Sequence, residues 1–209
     1  MKLYYSDVLA PRKTCALIKY LKVPVDFVYL NLQKGEHKRP EYLAINSNGK
    51  VPTLVDGDKV LWEADAILCY LARHSGSDLW PEGDLQVEVI SWFSWNSQHF
   101  IQSGGALYFE FVIKSRFNIG PPDTAAVEKA TRSFRAQAGV LENHLKSHKW
   151  LVGEKLSVAD ISVAVTLPYA AKAEMLLDDF PEVRRWHEQL NAPTPGESPS
   201  LSVEACPVG

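Results

Sequence analysis

Short runs of aliphatic and aromatic residues at Lys2–Tyr5 and Val25–Leu30, bounded by Ser6-Asp7 and by Pro24, predict two β-strands. Between them Thr14, Leu17, Ile18 and Leu21 recur at i, i+3, i+4 and i+7, the stripe of one helical face. A strand–helix–strand unit of this length makes the two strands a parallel pair. Further on, Lys34–Pro40 is a basic loop feeding a short helix, and Asn46-Ser47-Asn48-Gly49 is a turn cluster. Val51–Val55 and Lys59–Leu61 then flank Asp56-Gly57-Asp58, which predicts a hairpin. From Glu63 the spacing is helical again, with Ile67, Tyr70, Leu71 and His74 on one side up to Ser75-Gly76. The order is β-α-β-α-β-β-α.

The stretch Gly76–Asp84, with Pro81 and two glycines, breaks the pattern, and everything after it is helical. Val87–Phe117 is an aromatic-rich helical region in which Gly104-Gly105 predicts a kink, and Gly120-Pro121-Pro122 ends it. Thr124–His148 reads as a long amphipathic helix ending in basic residues. Leu156-Ser157-Val158-Ala159-Asp160-Ile161 carries the hydroxyl and carboxylate of a capping box, with Leu156 and Ile161 as a hydrophobic staple. Val158, Ile161 and Val165 continue that helix to Pro168, and Phe180-Pro181-Glu182 opens a last one to about Leu190. The expected division is an α/β domain over 1–77, a linker over 78–85, an all-helical domain over 86–191 and an irregular tail over 192–209.

Composition removes several function classes. Of 209 residues, 22 are Lys or Arg and 25 are Asp or Glu, a formal charge of −3, too acidic to favour nucleic acid or an anionic membrane surface. Hydrophobic residues make up 46% and charged residues 22%, a folded soluble mix. No window reaches the roughly 18–20 apolar residues of a bilayer span, and MKLYYSD is too short and polar for a signal sequence, so a cytoplasmic protein is expected. Cys15, Cys69 and Cys206 are odd in number and far apart, which predicts reduced thiols and no zinc pair. His144 and His148 are spaced i, i+4 without a third ligand, so no metal is expected.

Three segments of the first domain carry candidate chemistry. In Gly49–Leu54, a proline at a strand entrance leaves the Val51 backbone able to pair with an extended ligand. In Leu61–Ile67 a strand runs directly into a helix, whose unpaired N–H groups hold a carboxylate while Glu63 pairs with an ammonium; together they suit an amino-acid head group. The competing reading takes Glu63 and Asp65 as ordinary acidic residues of a first helical turn. The basic loop Lys34–Pro40 is either a solvated surface or a grip for a second carboxylate.

The KLYYS strand, the GEHKRPEYLAINSNGKVPTL stretch, the WEADAILCYLA helix start and the LVGEKLSVADISVA segment stand in the order and spacing of cytosolic glutathione transferases, and the chain resembles that family over about residues 1 to 190. The resemblance implies a thioredoxin-like first domain, an all-helical second domain, a homodimer, glutathione as co-substrate and transfer of its thiolate to a hydrophobic electrophile. It further implies that Val51 pairs with the cysteinyl backbone, that Pro52 is cis, that Glu63 and the Ala64 N–H hold the γ-glutamyl end, and that His37, Lys38 and Lys50 face the glycyl carboxylate.

Two departures from the family pattern stand out. Ala64 follows the acidic residue where many members have Ser, and Ala10 occupies the position that related enzymes give to the thiol-activating group. Tyr5, Ser6 and Arg12 are the candidate substitutes, Tyr5 and Ser6 as hydroxyl donors and Arg12 as a cation at a helix start. Cys15, close to the same place, is expected to be a buried thiol rather than a redox nucleophile. In the second domain Trp95, His99 and Tyr108 are the candidates for an acceptor pocket, with Trp92 assigned to the core. The rival functions are a glutathione-dependent peroxidase or disulfide reductase, and a non-catalytic glutathione-binding module.

Overall fold

The structure, a computed structural model, describes residues 1–192. It falls into two compact units, Met1–Trp80 and Pro81–Ala192. Most of the expected tail, from residue 193 on, lies outside the described residues.

In the first unit β1 (Lys2–Tyr5), α1 (Leu9–Leu21) and β2 (Asp26–Tyr29) form the parallel unit, with Lys2 opposite Asp26 and Tyr5 opposite Tyr29. α1 stops where Lys22 turns left-handed at φ 54°, and the Val23 N–H closes back on the Ile18 carbonyl. β2 is one residue shorter at each end than its apolar run. Leu30 still donates its N–H to the Tyr5 carbonyl at 2.8 Å, but the chain then enters a turn. A 3₁₀ turn at Glu36–Lys38 leads into the single helical turn α2 (Pro40–Leu43), started by a proline whose missing N–H is not needed there.

β3 (Thr53–Asp56) and β4 (Lys59–Trp62) make the hairpin, and α3 (Ala64–His74) follows at once. The four-stranded sheet has the order β2-β1-β3-β4, with β1 antiparallel to β3. Leu3 and Leu54, directly opposed, are fully buried, as are Leu17 of α1 and Ile67, Leu68 and Leu71 of α3, the two helices that pack together beside the sheet. Each such side chain contributes about 1.5–3 kcal/mol when withdrawn from water.

The second unit begins with one long helical run: α4 (Leu85–Trp95), a π-helical stretch Asn96–Phe100, α5 (Ile101–Tyr108), a second π-helical stretch Phe109–Ile113, and α6 (Lys114–Arg116). The irregularity therefore lies on either side of Gly104 rather than as a kink at it. Gly104 instead permits close packing, since a Cβ there would lie 3.2 Å from Thr166 Oγ1. α7 (Thr124–Leu145) is capped by Asp123, which accepts from the Ala126 N–H at 2.8 Å, and it ends three residues before the predicted His148.

α8 (Val158–Val163) starts at the predicted capping box and passes into a 3₁₀ turn, Ala164–Tyr169, that contains Pro168; α9 (Pro181–Asn191) closes the unit. Asp160 is wholly buried and accepts from the N–H groups of Leu151 (3.0 Å) and Ser157 (2.9 Å), the Ser157 hydroxyl (3.0 Å) and Trp186 Nε1 (2.9 Å). Burial pushes its carboxyl above the ordinary value against the pull of these four donors. The capping box is thus also the tie between α8, the 151 loop and α9. Among the described residues no helix is long and apolar enough to cross a membrane.

Candidate functional site

The register of the sheet decides what meets at its end. Tyr4 lies opposite Thr53, and Thr53 lies opposite Trp62, so Tyr5-Ser6 at the exit of β1, Val51-Pro52 at the entrance of β3 and Glu63 at the exit of β4 stand side by side. The Val51-Pro52 peptide bond is cis. Glu63 has φ +69°, a left-handed value that costs a non-glycine residue about 1 kcal/mol, and it precedes the unpaired amides of α3. Its carboxylate is exposed and, among the described residues, has no hydrogen-bond or ion-pair partner. Asp65, two positions on, is different: it pairs with buried Lys13 at 2.8 Å and ties α3 to α1. Of the two acidic residues weighed together in the sequence, one is structural and one is available.

The basic loop and the turn before β3 also touch. Gly49 has φ +56°, and a Cβ there would lie 2.9 Å from the His37 carbonyl and 2.9 Å from Lys38 Nζ. The His37-Lys38 segment therefore packs against the turn that immediately precedes Lys50. His37 Nδ1 is buried without a hydrogen-bond partner among the described residues, while Lys38 and Lys50 are exposed. The loop is held from beneath. Tyr42 donates its hydroxyl to the Lys50 carbonyl at 2.5 Å and lies 2.7 Å from Thr53 Oγ1, and Asn46 Nδ2 donates to the same two atoms at 3.1 and 2.8 Å. Tyr42 and Asn46 were not among the candidates; their spacing to Lys50 and Thr53 carries no signal without the turn geometry.

At the start of α1, Val8 supplies no side-chain cap, so the first amides of the helix, including that of half-exposed Ala10, are left to other partners. Tyr5 is 3% exposed, edge-on to Phe27 (5.7 Å) and Tyr29 (5.6 Å), and burial, then Tyr29 and Asp7, push its hydroxyl above the ordinary value. Ser6 is buried as well. Arg12, expected as an available cation, is buried in an ion pair with Asp7, which neutralises it locally. Cys15 is buried but disulfide-bonded, not the reduced thiol expected. Cys69 is free, and burial, then Asp65, push its thiol up to about 12.

Residues 2–73 match the glutathione S-transferase N-terminal domain family, and residues 102–193 match the glutathione S-transferase C-terminal domain family. The chain belongs to the glutathione S-transferases. It is 34% identical over 197 residues to a probable glutathione S-transferase GSTF2 of Oryza sativa subsp. japonica, covering 92% of each chain. It is also 34% identical to glutathione S-transferase 3 of Zea mays, covering 90% of this chain and 88% of that one. Among solved structures it superposes with a TM-score of 0.86 and 27% identity on a glutathione S-transferase-I bound with lactoylglutathione, covering 98% and 97% of the two chains. A possible glutathione S-transferase from Rhodopseudomonas palustris gives a TM-score of 0.82 at 27% identity, covering 90% and 92%.

The three pocket candidates in the helical unit of this glutathione S-transferase have different surroundings. Half-buried Trp95 stacks on Phe100 (5.3 Å), which stacks on Phe134 (5.3 Å). Tyr108 is buried, edge-on to Tyr169 at 4.8 Å, and His99 is exposed. Half-buried Trp92 donates Nε1–H to the Leu151 carbonyl at 2.9 Å. His144 and His148 stack at 4.2 Å, and among the described residues no group of three His, Cys, Asp or Glu side chains could hold a metal ion.

Proposed function

We propose that this transferase binds glutathione across the end of its sheet and adds the tripeptide's thiolate to a hydrophobic electrophile. The observation that carries the reading is the convergence, by strand register, of the Val51 backbone with Glu63 and the α3 amides on one side, and of His37, Lys38 and Lys50 on the other. A γ-glutamyl peptide has an ammonium and a carboxylate at one tip and a carboxylate at the other. Glu63 answers the ammonium, the Ala64 N–H and the helix end answer the first carboxylate, and the basic trio, with a His37 Nδ1 that has no hydrogen-bond partner among the described residues, answers the second. Val51 pairs with the peptide's middle as an added strand would.

The sulfur then lies towards the amino end of α1. The uncapped amides around Ala10 stabilise an anion there, with Ser6 beside them. Lowering a thiol pKa by one unit requires about 1.4 kcal/mol, within what such donors supply. Tyr5 and Arg12 support this arrangement by packing and by pairing with Asp7. A disulfide-reductase reading finds no support: Cys15 is fully buried and Cys69 is held protonated. The hydrophobic acceptor and a homodimer complete the proposal. A second copy would cover apolar side chains such as Val60 and Trp62 on the outer strand β4, exposed in the single chain.

Calorimetric titration with glutathione and steady-state conjugation of an aryl halide test the reading. Glu63→Ala is expected to weaken glutathione binding about tenfold; equal affinity would remove Glu63 from the site. Tyr5→Phe is expected to leave the ultraviolet thiolate titration of bound glutathione unchanged. A rise of about one pKa unit would make Tyr5 the donor instead of α1.

A further inference from the structure

Residues of the 36–45 segment, with Tyr4 and Leu30, line a cavity that the glutathione reading leaves unused. It has a volume of about 420 Å³ and is lined by Tyr4, Leu30, Glu36, Arg39, Tyr42 and Ile45, with Glu41 at its rim. That volume is within the range of small-molecule sites, about 300–1,000 Å³. The floor is apolar and aromatic: Leu30, Ile45 and the rings of Tyr4 and Tyr42, whose centroids are 5.6 Å apart at 56°. Tyr42 spends its hydroxyl on Lys50 and Thr53, so it offers the cavity its ring alone.

The rim is acidic on balance. Glu36 is fixed by the Asn31 N–H on Oε2 at 2.8 Å, while Arg39, 57% exposed, reaches its other oxygen only at 3.5 Å. A solvated pair at that distance is worth little and yields readily. Glu41 is exposed and has no ion-pair partner among the described residues. Two carboxylates and one loosely held guanidinium thus share the lining with two tyrosines, an environment that attracts cations and disfavours anions.

We infer that this cavity is a binding site for an aryl-alkyl amine: an ammonium set between Glu36 and Glu41, with the apolar ring on Leu30, Ile45 and the tyrosines. Its wall is shared with the glutathione loop through the Tyr42 hydroxyl, so the amine adjusts glutathione affinity without occupying the same space. That coupling rests on the proposed glutathione site; the amine site itself does not.

The test is calorimetry on the full chain with tryptamine, and with indole-3-propionate as an anion of similar ring and length. Tryptamine is expected to bind with a dissociation constant of about 0.1–1 mM, and the carboxylate at least about tenfold more weakly. Ile45→Trp, which fills the cavity, is expected to abolish amine binding, and Glu41→Gln, at an exposed position, to weaken it about threefold or more. Glutathione is expected to bind the amine-saturated protein with altered affinity, the two ligands bound together. Equal affinity for amine and carboxylate, amine binding indifferent to both substitutions, or displacement of the amine by glutathione would each overturn the inference. If glutathione fails to bind at all while tryptamine binding follows the two substitutions, the glutathione reading falls and the amine site stands.

Discussion

Replacing Gly49 by Ala places a methyl group where the basic loop meets the turn before β3. Two costs arise. An alanine held at φ +56° sits in the left-handed region, at about 1 kcal/mol, and its Cβ would stand 2.9 Å from the His37 carbonyl oxygen and 3.0 Å from Leu43 Cδ2. Lys38 Nζ, also at 2.9 Å, is the free end of a flexible chain and swings aside, but a backbone carbonyl does not. It must retreat by about half an ångström to reach ordinary van der Waals separation, moving His37 and Lys38 away from Lys50. The summed loss is about 2–3 kcal/mol, which lowers the thermal midpoint by about 4–12 °C in a chain of this size. Glutathione affinity, read by calorimetry, is expected to fall about tenfold. Gly35→Ala is the control. Gly35 has φ +67°, and a Cβ added there would meet no atom within 4 Å, so that variant carries the conformational cost alone and keeps its affinity for glutathione. If the two variants lose equal stability and neither changes affinity, the contact between Gly49 and the basic loop does not position the ligand and the reasoning fails.

Two further outcomes follow from the helical unit. Asp160→Ala strands three buried donors, the N–H groups of Leu151 and Ser157 and the Trp186 indole, and is expected to cost about 3–6 kcal/mol in denaturant titrations followed by tryptophan fluorescence. A loss below about 1 kcal/mol would show that water replaces the carboxylate. For pH, burial and then the neighbouring His148 hold the His144 imidazole below its ordinary 6.5. The unfolded chain therefore takes up this proton first, and stability falls as pH drops through about 6.5 towards the depressed folded value, below which the effect is complete. His144→Gln is expected to flatten that part of the stability profile, and an unchanged slope would assign the loss elsewhere.

Much of the first unit could be read from the residues because its elements are short and punctuated. Pro24, the 46–49 turn cluster and Asp56-Gly57-Asp58 mark where strands begin and turn, and the Ser157–Asp160 box marks a helix start by its own chemistry. The partnerships were less accessible. That Asp7 pairs with Arg12, that Asp65 belongs to Lys13 while Glu63 does not, and that Tyr42 and Asn46 hold the loop under Lys50 all depend on which side chains the folded backbone brings together. Tyr5 illustrates the same limit: its place at the end of β1 was evident, but its enclosure by Phe27 and Tyr29 follows from the parallel register. In the second unit two π-helical stretches interrupt the helical period that the spacing alone suggested, so the sequence gives no sign of where the faces shift.

The convergence of strand ends implies that part of the grip proposed for a peptide ligand comes from main-chain groups, positioned by sheet register and the α3 terminus. Main-chain donors persist whatever residue occupies a position, so the alanines at 10 and 64 remove hydroxyls without dismantling the cleft. Retention of the tripeptide and the reactivity of its sulfur are thereby separable properties, and descendants of such a chain are free to change one while inheriting the other.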